Sequence, residues 1–190
     1  MHWTALNKLL GNIDIYWLDF ILKGYLSDDA KILDAGCGEG RNLIYCMQQG
    51  YDVFGVDNNN DAIQYLRIVA RQFKIPNYEA RFQQMDLTNL RFPDSSFDVI
   101  ISSAVLHFAN NKDHFLQMFS EMTRVLKSGG KLFVRCMTEN YQEENERFIL
   151  GNKLLLFCCE EFNLELMEPG KSVKVGDIRA MGTFLLRKKE

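Results

Sequence analysis

Ile32-Leu33-Asp34-Ala35-Gly36-Cys37-Gly38-Glu39-Gly40 is the stretch whose reading decides the fold. A short apolar run beginning at Lys31 ends in three closely spaced glycines, which predicts a buried strand turning directly into a helix. Glycine permits positive φ and lets a ligand press against bare backbone. In open α/β sheets such ligands sit beyond the carboxyl ends of the strands, where the strand order reverses.

Outward from this loop, the patterns alternate. A helix is expected over 41–49, stopped by Gly50, followed by a strand over 51–56 that runs into Asp57-Asn58-Asn59-Asn60. A helix over 61–73, a third strand over 78–85 and a fourth over 97–102 follow. The segment 112–126 places Phe115, Met118, Phe119, Met122 and Leu126 on one side of a helix, and 131–136 is the next strand. Beyond it the pattern predicts a helix near 145–160 and strands around 163–168 and 178–187. Before the loop, Ile13, Trp17, Ile21 and Tyr25 recur at steps of four, an amphipathic helix over 12–26. Strands alternating with helices predict parallel βαβ units with helices on both faces of one sheet. With 190 residues and no linker, repeat or low-complexity segment, one domain is expected, 1–26 forming a helical cap or lid on a core of 31–190.

Two chemistries use a glycine loop of this kind. A dinucleotide fingerprint is GxGxxG, which seats a pyrophosphate at a helix N-terminus. Here the spacing is GxGxG, and Arg41 occupies the position of the third fingerprint glycine. Charge separates the two further. Asp34 precedes the first glycine, Asp57 ends the second strand and Asp86 follows the third. Three carboxylates in one crevice oppose a pyrophosphate and suit a ligand bearing an ammonium, a sulfonium and ribose hydroxyls.

DAGCGEG resembles the D/ExGxGxG motif of class I S-adenosylmethionine-dependent methyltransferases. The resemblance continues in order through VFGVDNNN, MDLTNLRFPDSSFDVIISSAVLHF and EMTRVLKSGGKLFV, covering roughly residues 31–136. GEGRNLIYCMQQGYDVFGVD is also similar to the tellurite-resistance (thiopurine-type) branch. The family fold is a three-layer αβα Rossmann-like sandwich on a mostly parallel seven-stranded sheet, order 3-2-1-4-5-7-6, with the last strand antiparallel. The resemblance implies S-adenosyl-L-methionine as cofactor. Gly36, Cys37, Gly38 and Gly40 would approach its methionine part, with Asp34 near the ammonium. Asp57 would take the ribose hydroxyls with Asn58 close by. Asp86 would meet the adenine amino group with Leu87 against the ring. Ser102 and Ser103 would line the floor beside the sulfur. Arg41 and Asn42 either contact the cofactor carboxylate or solvate the first helical turn.

His107 is a candidate general base, since its ordinary pKa of about 6.5 suits proton transfer; a packed, hydrogen-bonded histidine is the competing reading. His114 is expected on a solvated helix face. Trp3, Tyr16 and Trp17 would belong either to a lid over the cofactor or to the core, and Cys158-Cys159 pack as small hydrophobes. The Asn-Pro-Pro-Tyr signature of amino-group methylators is absent after the fourth strand, which favours a small-molecule acceptor. A non-catalytic domain that binds the same cofactor and an NAD-dependent oxidoreductase are the rival functions.

Composition narrows the partners. The 22 basic and 25 acidic residues leave a formal net charge of -3, and Arg187-Lys188-Lys189 is the only basic run, so nucleic acid is not an expected partner. The 5 cysteines form no CxxC pair, and with 3 histidines no metal-ligand spacing emerges. No uninterrupted apolar segment reaches signal-peptide or membrane-spanning length, so the expected site of action is the cytoplasm and no membrane contact is expected.

Overall fold

A computed structural model describes residues 3–141 and 147–190. In chain order the elements are α1 (Trp3–Leu10), α2 (Ile15–Leu22), β1 (Lys31–Ala35), α3 (Ile44–Gln48), β2 (Asp52–Asp57) and α4 (Asn60–Gln72). They continue with α5 (Tyr78–Arg81), β3 (Phe82–Gln84), β4 (Phe97–Ser103), α6 (Lys112–Val125), β5 (Leu126–Asn140) and α7 (Asn152–Glu161). The last three strands are β6 (Leu164–Leu166), β7 (Lys171–Val175) and β8 (Arg179–Lys188).

All these strands join one sheet of order β3-β2-β1-β4-β5-β8-β6, with β7 also on β8. The first five run parallel, and β8 enters antiparallel to β5. The path is the expected one with one strand added. Leu164–Leu166 pairs with the C-terminal end of β8, and Lys171–Val175 pairs with its N-terminal half. The outermost row is thus broken in two over 167–170, which makes eight strands where seven were expected.

Side chains alternate across the strands, and each face collects its own core. On one face Leu33, Ile100, Leu132 and Val134 pack against Phe115, Phe119 and Met122 of α6 and Leu155 of α7. On the other, Ile32, Val53, Val99, Ile101 and Phe133 pack against Trp17 and Phe20 of α2, Cys46 of α3 and Ile63 and Leu66 of α4. Helices therefore cover both faces, giving the three-layer αβα arrangement. Cys158 belongs to the first core and Cys159 packs against it, as small hydrophobes do.

Several boundaries move for identifiable reasons. The expected strand over 78–85 begins instead as one helical turn, and only Phe82–Gln84 pairs with β2. Arg67 of α4 donates to the carbonyls of Glu79 and Phe82, which holds that turn against the helix. The helix expected over 12–26 is confined to Ile15–Leu22 because Asp14 caps its start, accepting from the Tyr16 backbone N–H. Trp17 is fully buried in the core, so of the aromatics weighed for a lid it is not one of them. The Trp3 side chain lies outside the described residues. Part of the helix expected near 145–160 also falls outside them; the described portion is α7.

Candidate active site

The loop after β1 is held by the neighbouring strand. The backbone N–H groups of Gly36 and Cys37 donate to the Val56 carbonyl at 2.8 and 3.0 Å, and the Gly38 N–H donates to Asp57 Oδ2 at 2.8 Å. Gly36 (φ 84°) and Gly38 (φ 51°) both occupy the left-handed region, for different reasons. A methyl group on Gly36 would lie 2.4 Å from Val105 Cγ2, so glycine there lets the segment after β4 close over the loop. A methyl group on Gly38 would meet no atom within 4 Å. It would project into open space at the mouth of the strands.

That space is a cleft of about 640 Å³ at the carboxyl ends of β1, β2 and β4. Strand order reverses there, between β1 and β4, the position at which open α/β sheets bind ligands. Gly36, Cys37, Gly38 and Arg41 line it, as do Asp57, Asn58, Asp86 and Leu87. Of the two serines expected on its floor, Ser103 lines it while Ser102 is fully buried, with no partner for its hydroxyl among the described residues. Gly40 faces away, where a methyl group would strike Leu66 Cδ1 of α4 at 2.4 Å. His107 is also not on the cleft wall, and it lines an adjacent pocket instead.

The acids differ in what they do. Asp57 holds the Gly38 N–H with one oxygen and the Asn59 N–H with the other, so it shapes the loop while facing the cleft. Asp86 Oδ1 accepts from both the backbone N–H and the hydroxyl of Thr88, and these bonds hold its pKa below the usual range. Asp34 lies beneath the loop, 1% exposed, and neither carboxylate oxygen has a hydrogen-bond partner among the described residues. Burial raises its pKa to about 7 against the pull of Arg41, with Asp57 and Asp14 adding to the rise. A buried carboxylate without a partner is costly in the free protein, and a cation bound above it would relieve that cost.

Arg41 and Asn42 both line the cleft. Arg41 reaches the cleft and donates to Asp14 Oδ2 at 3.1 Å. Asn42 is buried, accepts from the Asp14 N–H at 3.0 Å, and its carbonyl takes the Trp17 indole N–H at 3.2 Å. Asn42 thus fastens the N-terminal helix to the loop while it also lines the cleft. The residue at the centre of this junction, Asp14, was not anticipated. It is almost wholly buried and also accepts from the Ser103 hydroxyl and from Arg135 Nη1, both at 3.0 Å. An Asp ahead of an amphipathic run signals a helix cap, but nothing local announces these distant partners.

His114, half-buried on α6, also lines the cleft, with Nδ1 accepting from the Asn110 N–H at 3.1 Å. Met118, one turn further along α6, lines it too. No cluster of His, Cys, Asp or Glu suited to a metal occurs among the described residues. No helix among them is long and apolar enough to cross a membrane.

A doubly wound sheet with a ligand cleft over a glycine loop and acid-tipped strands defines a Rossmann-like nucleoside-binding class. Within it, the chain belongs to the methyltransferase-domain family, whose model matches residues 33–134. The arsenite methyltransferase of Aquipseudomonas alcaligenes is 34% identical over 116 residues, 57% of this chain and 33% of that protein. "Probable S-adenosyl-L-methionine-dependent methyltransferase TehB" of Haemophilus influenzae is 30% identical over 110 residues, 57% of this chain and 36% of that protein; TehB is the tellurite-resistance relative anticipated by the GRN stretch. A SAM-dependent methyltransferase of Methanosarcina mazei shares the fold, with a TM-score of 0.74 and 22% identity over 89% of this chain and 97% of its own. The chain spans about a third to a half of the length of the first curated relatives it matches.

Gly38 offers a clean separation of fold from binding. Gly38→Ala places a residue with a side chain in the left-handed region, at a cost on the order of 1 kcal/mol. The methyl group clashes with no protein atom. The variant should melt only a few degrees lower by calorimetry, yet lose at least tenfold in affinity for any ligand lying on the loop. Unchanged affinity would place the ligand elsewhere.

Proposed function

We propose that this chain is an S-adenosylmethionine-dependent methyltransferase acting on a small-molecule acceptor by direct methyl displacement, the whole chain serving as one methyltransferase domain. The observation that carries this reading is the buried, unpartnered Asp34 beneath a glycine loop whose rim carries Asp57 and Asp86. This set of charges favours a cationic ligand and disfavours a pyrophosphate, which argues against an NAD-dependent role.

When bound, the cofactor supplies a methyl group activated by attachment to a positively charged sulfur. The chain's own residues bind, orient and exclude water. Asp57, already fixed by two backbone N–H groups, offers its remaining lone pairs to ribose hydroxyls. Asp86 is held ionised by Thr88, ready to accept from an amino group, with Leu87 as an apolar wall beside it. Asp34 contributes a negative potential under the loop without reaching the cleft surface. Arg41, anchored by Asp14, faces the cleft with donors for a carboxylate. Alignment of two reactants can supply up to about 7–11 kcal/mol of a barrier, so positioning carries most of the demand on the protein. The free cysteines Cys37, Cys46, Cys136, Cys158 and Cys159 support a reducing, cytoplasmic setting, and the mild net charge supports a small molecule over nucleic acid.

The test is formation of S-adenosylhomocysteine from S-adenosylmethionine across a panel of small thiols, amines, alcohols and acids. Turnover with at least one acceptor is expected, with no retention of NADH in calorimetry. Tight binding of the methyl donor with no product from any acceptor would favour the non-catalytic reading instead.

A further inference from the structure

Beside the cleft lies a second cavity of about 280 Å³, and the two share Ala104 and Phe108 as wall residues. Its polar lining is almost entirely basic: Arg135 from β5, Arg147 ahead of α7, Arg179 at the start of β8, and His107. Met137, Ile178 and Met181 form the apolar part. We propose that this pocket seats the methyl acceptor, and that the acceptor is a small organic acid whose oxyanion is held by the three arginines while its apolar body lies against the methionines. The proposal rests on the methyltransferase reading for the word acceptor; the anion site itself does not.

Two polar groups in the wall await a partner. His107 is 6% exposed, and its Nδ1 has no hydrogen-bond partner among the described residues. Arg135 is committed to Asp14 through Nη1, but its buried Nε has no hydrogen-bond partner among the described residues. Buried polar groups are nearly always satisfied in a native protein, so two unsatisfied ones in the wall of one pocket point to a ligand. Arg147 is stacked on Phe108, a wall residue shared with the cleft, at 4.2 Å, which fixes its planar donors at that wall. Among the described residues neither Arg147 nor Arg179 enters an ion pair.

The electrostatics agree. Burial first, then the charges of Arg147, Arg179 and Arg135, push the His107 pKa down to about 4. The same three guanidiniums that surround the cavity are thus felt together at one imidazole, and among the described residues Asp14 is the acid bonded to one of them, Arg135. An oxyanion in the pocket would meet planar donors suited to paired hydrogen bonds and would offset the repulsion. A neutral His107 leaves one ring nitrogen to accept and one to donate, so it orients an acid without adding charge. An amine would meet only repulsion.

The probes are hexanoate, hexyl phosphate, hexylamine and inorganic phosphate, titrated into the intact protein while the His107 ring is followed by NMR. Hexanoate or hexyl phosphate should bind and raise the His107 pKa by a unit or more; whichever binds tighter identifies the headgroup as carboxylate or phosphate ester. Arg179→Gln, at an exposed position, should weaken that binding tenfold or more without altering the melting temperature, and Arg147→Gln should do likewise. Hexylamine binding as well as hexanoate, or anion binding indifferent to both substitutions, would overturn the proposal. Inorganic phosphate binding as tightly as the hexyl compounds would overturn the organic-acid assignment. S-adenosylmethionine affinity, measured on the same samples, should stay within twofold in both variants; failure of the wild type to bind it at all would strike the methyltransferase reading and leave the anion site standing.

Discussion

Asp34→Asn should make the free protein more stable at pH 8 and, in the same samples, weaken S-adenosylmethionine binding about tenfold, equivalent to about 1.4 kcal/mol. The first effect follows from burial. With both oxygens unpartnered and the pKa raised to about 7, the ionised carboxylate at pH 8 is a charge held in a low-dielectric site. Asparagine has nearly the same shape and no charge. Each kcal/mol regained in a chain of this size is worth about 2–4 °C in melting temperature. The second effect follows from loss of the negative potential under the glycine loop.

The sign with pH can be worked out. An Asp whose folded pKa is raised above 3.8 keeps a proton in the native state that the unfolded chain has already released. Wild-type stability contributed by this group is therefore complete below about pH 4 and is lost as pH rises through about 7. The asparagine variant lacks that decline, so the two melting curves should converge below about pH 4, separate progressively between about 4 and 7, and stay apart by a constant margin above that. Binding a cation would lower the Asp34 pKa, so methyl-donor affinity should fall as pH drops below 7, with proton release detectable by calorimetry in buffers of different ionisation enthalpy. Equal affinity of wild type and variant at pH 8 would remove Asp34 from the binding machinery.

Asp14→Ala should be strongly destabilising, at about 3 kcal/mol or roughly 10 °C in melting temperature. The carboxylate is 1% exposed and accepts from Arg41, Arg135, Ser103 and the Tyr16 N–H together. Removing it leaves the Arg135 guanidinium, only 20% exposed, without its counter-ion. Loss of the helix cap adds about 1 kcal/mol, while the Arg41 contact adds little, since that side chain is 40% exposed. Thermal melts give the total. Asp14→Asn, which keeps the cap, should recover part of it; equal loss in both variants would show the cap to be irrelevant, and no loss in Asp14→Ala would dissolve the junction altogether.

The strands β1, β2, β4 and β5 were legible because a parallel strand buried on both faces reads as an unbroken apolar run, and FDVIIS is such a run. The glycine loop was legible because turn chemistry is local, and so were Asp57 and Asp86, which stand at strand ends. The strand expected over 78–85 was misread where Arg67, on another helix, secures a helical turn. Asp14 looked like no more than a cap because Arg135 lies 121 positions away. The arginine pocket was invisible for the same reason: Arg135, Arg147 and Arg179 come from separate elements, and only the antiparallel pairing of β5 with β8 brings Met137 opposite Met181. That His114 borders the cleft was not legible, because helical periodicity tells which face is apolar but not which face borders a cleft.

The interrupted outer row of the sheet has a bearing on how molecules of this chain behave in a crowd. A long free strand border is a template on which a neighbouring copy can extend hydrogen bonding indefinitely. Here that border consists of a three-residue piece and a five-residue piece, separated by the gap over 167–170, with Lys171 and Lys174 exposed on the second. Neither piece presents a long run of free backbone groups, and both lysines are held in ion pairs within the molecule. The same gap that spoils the tidy strand count thus shortens the border open to a neighbouring copy on that side of the sheet.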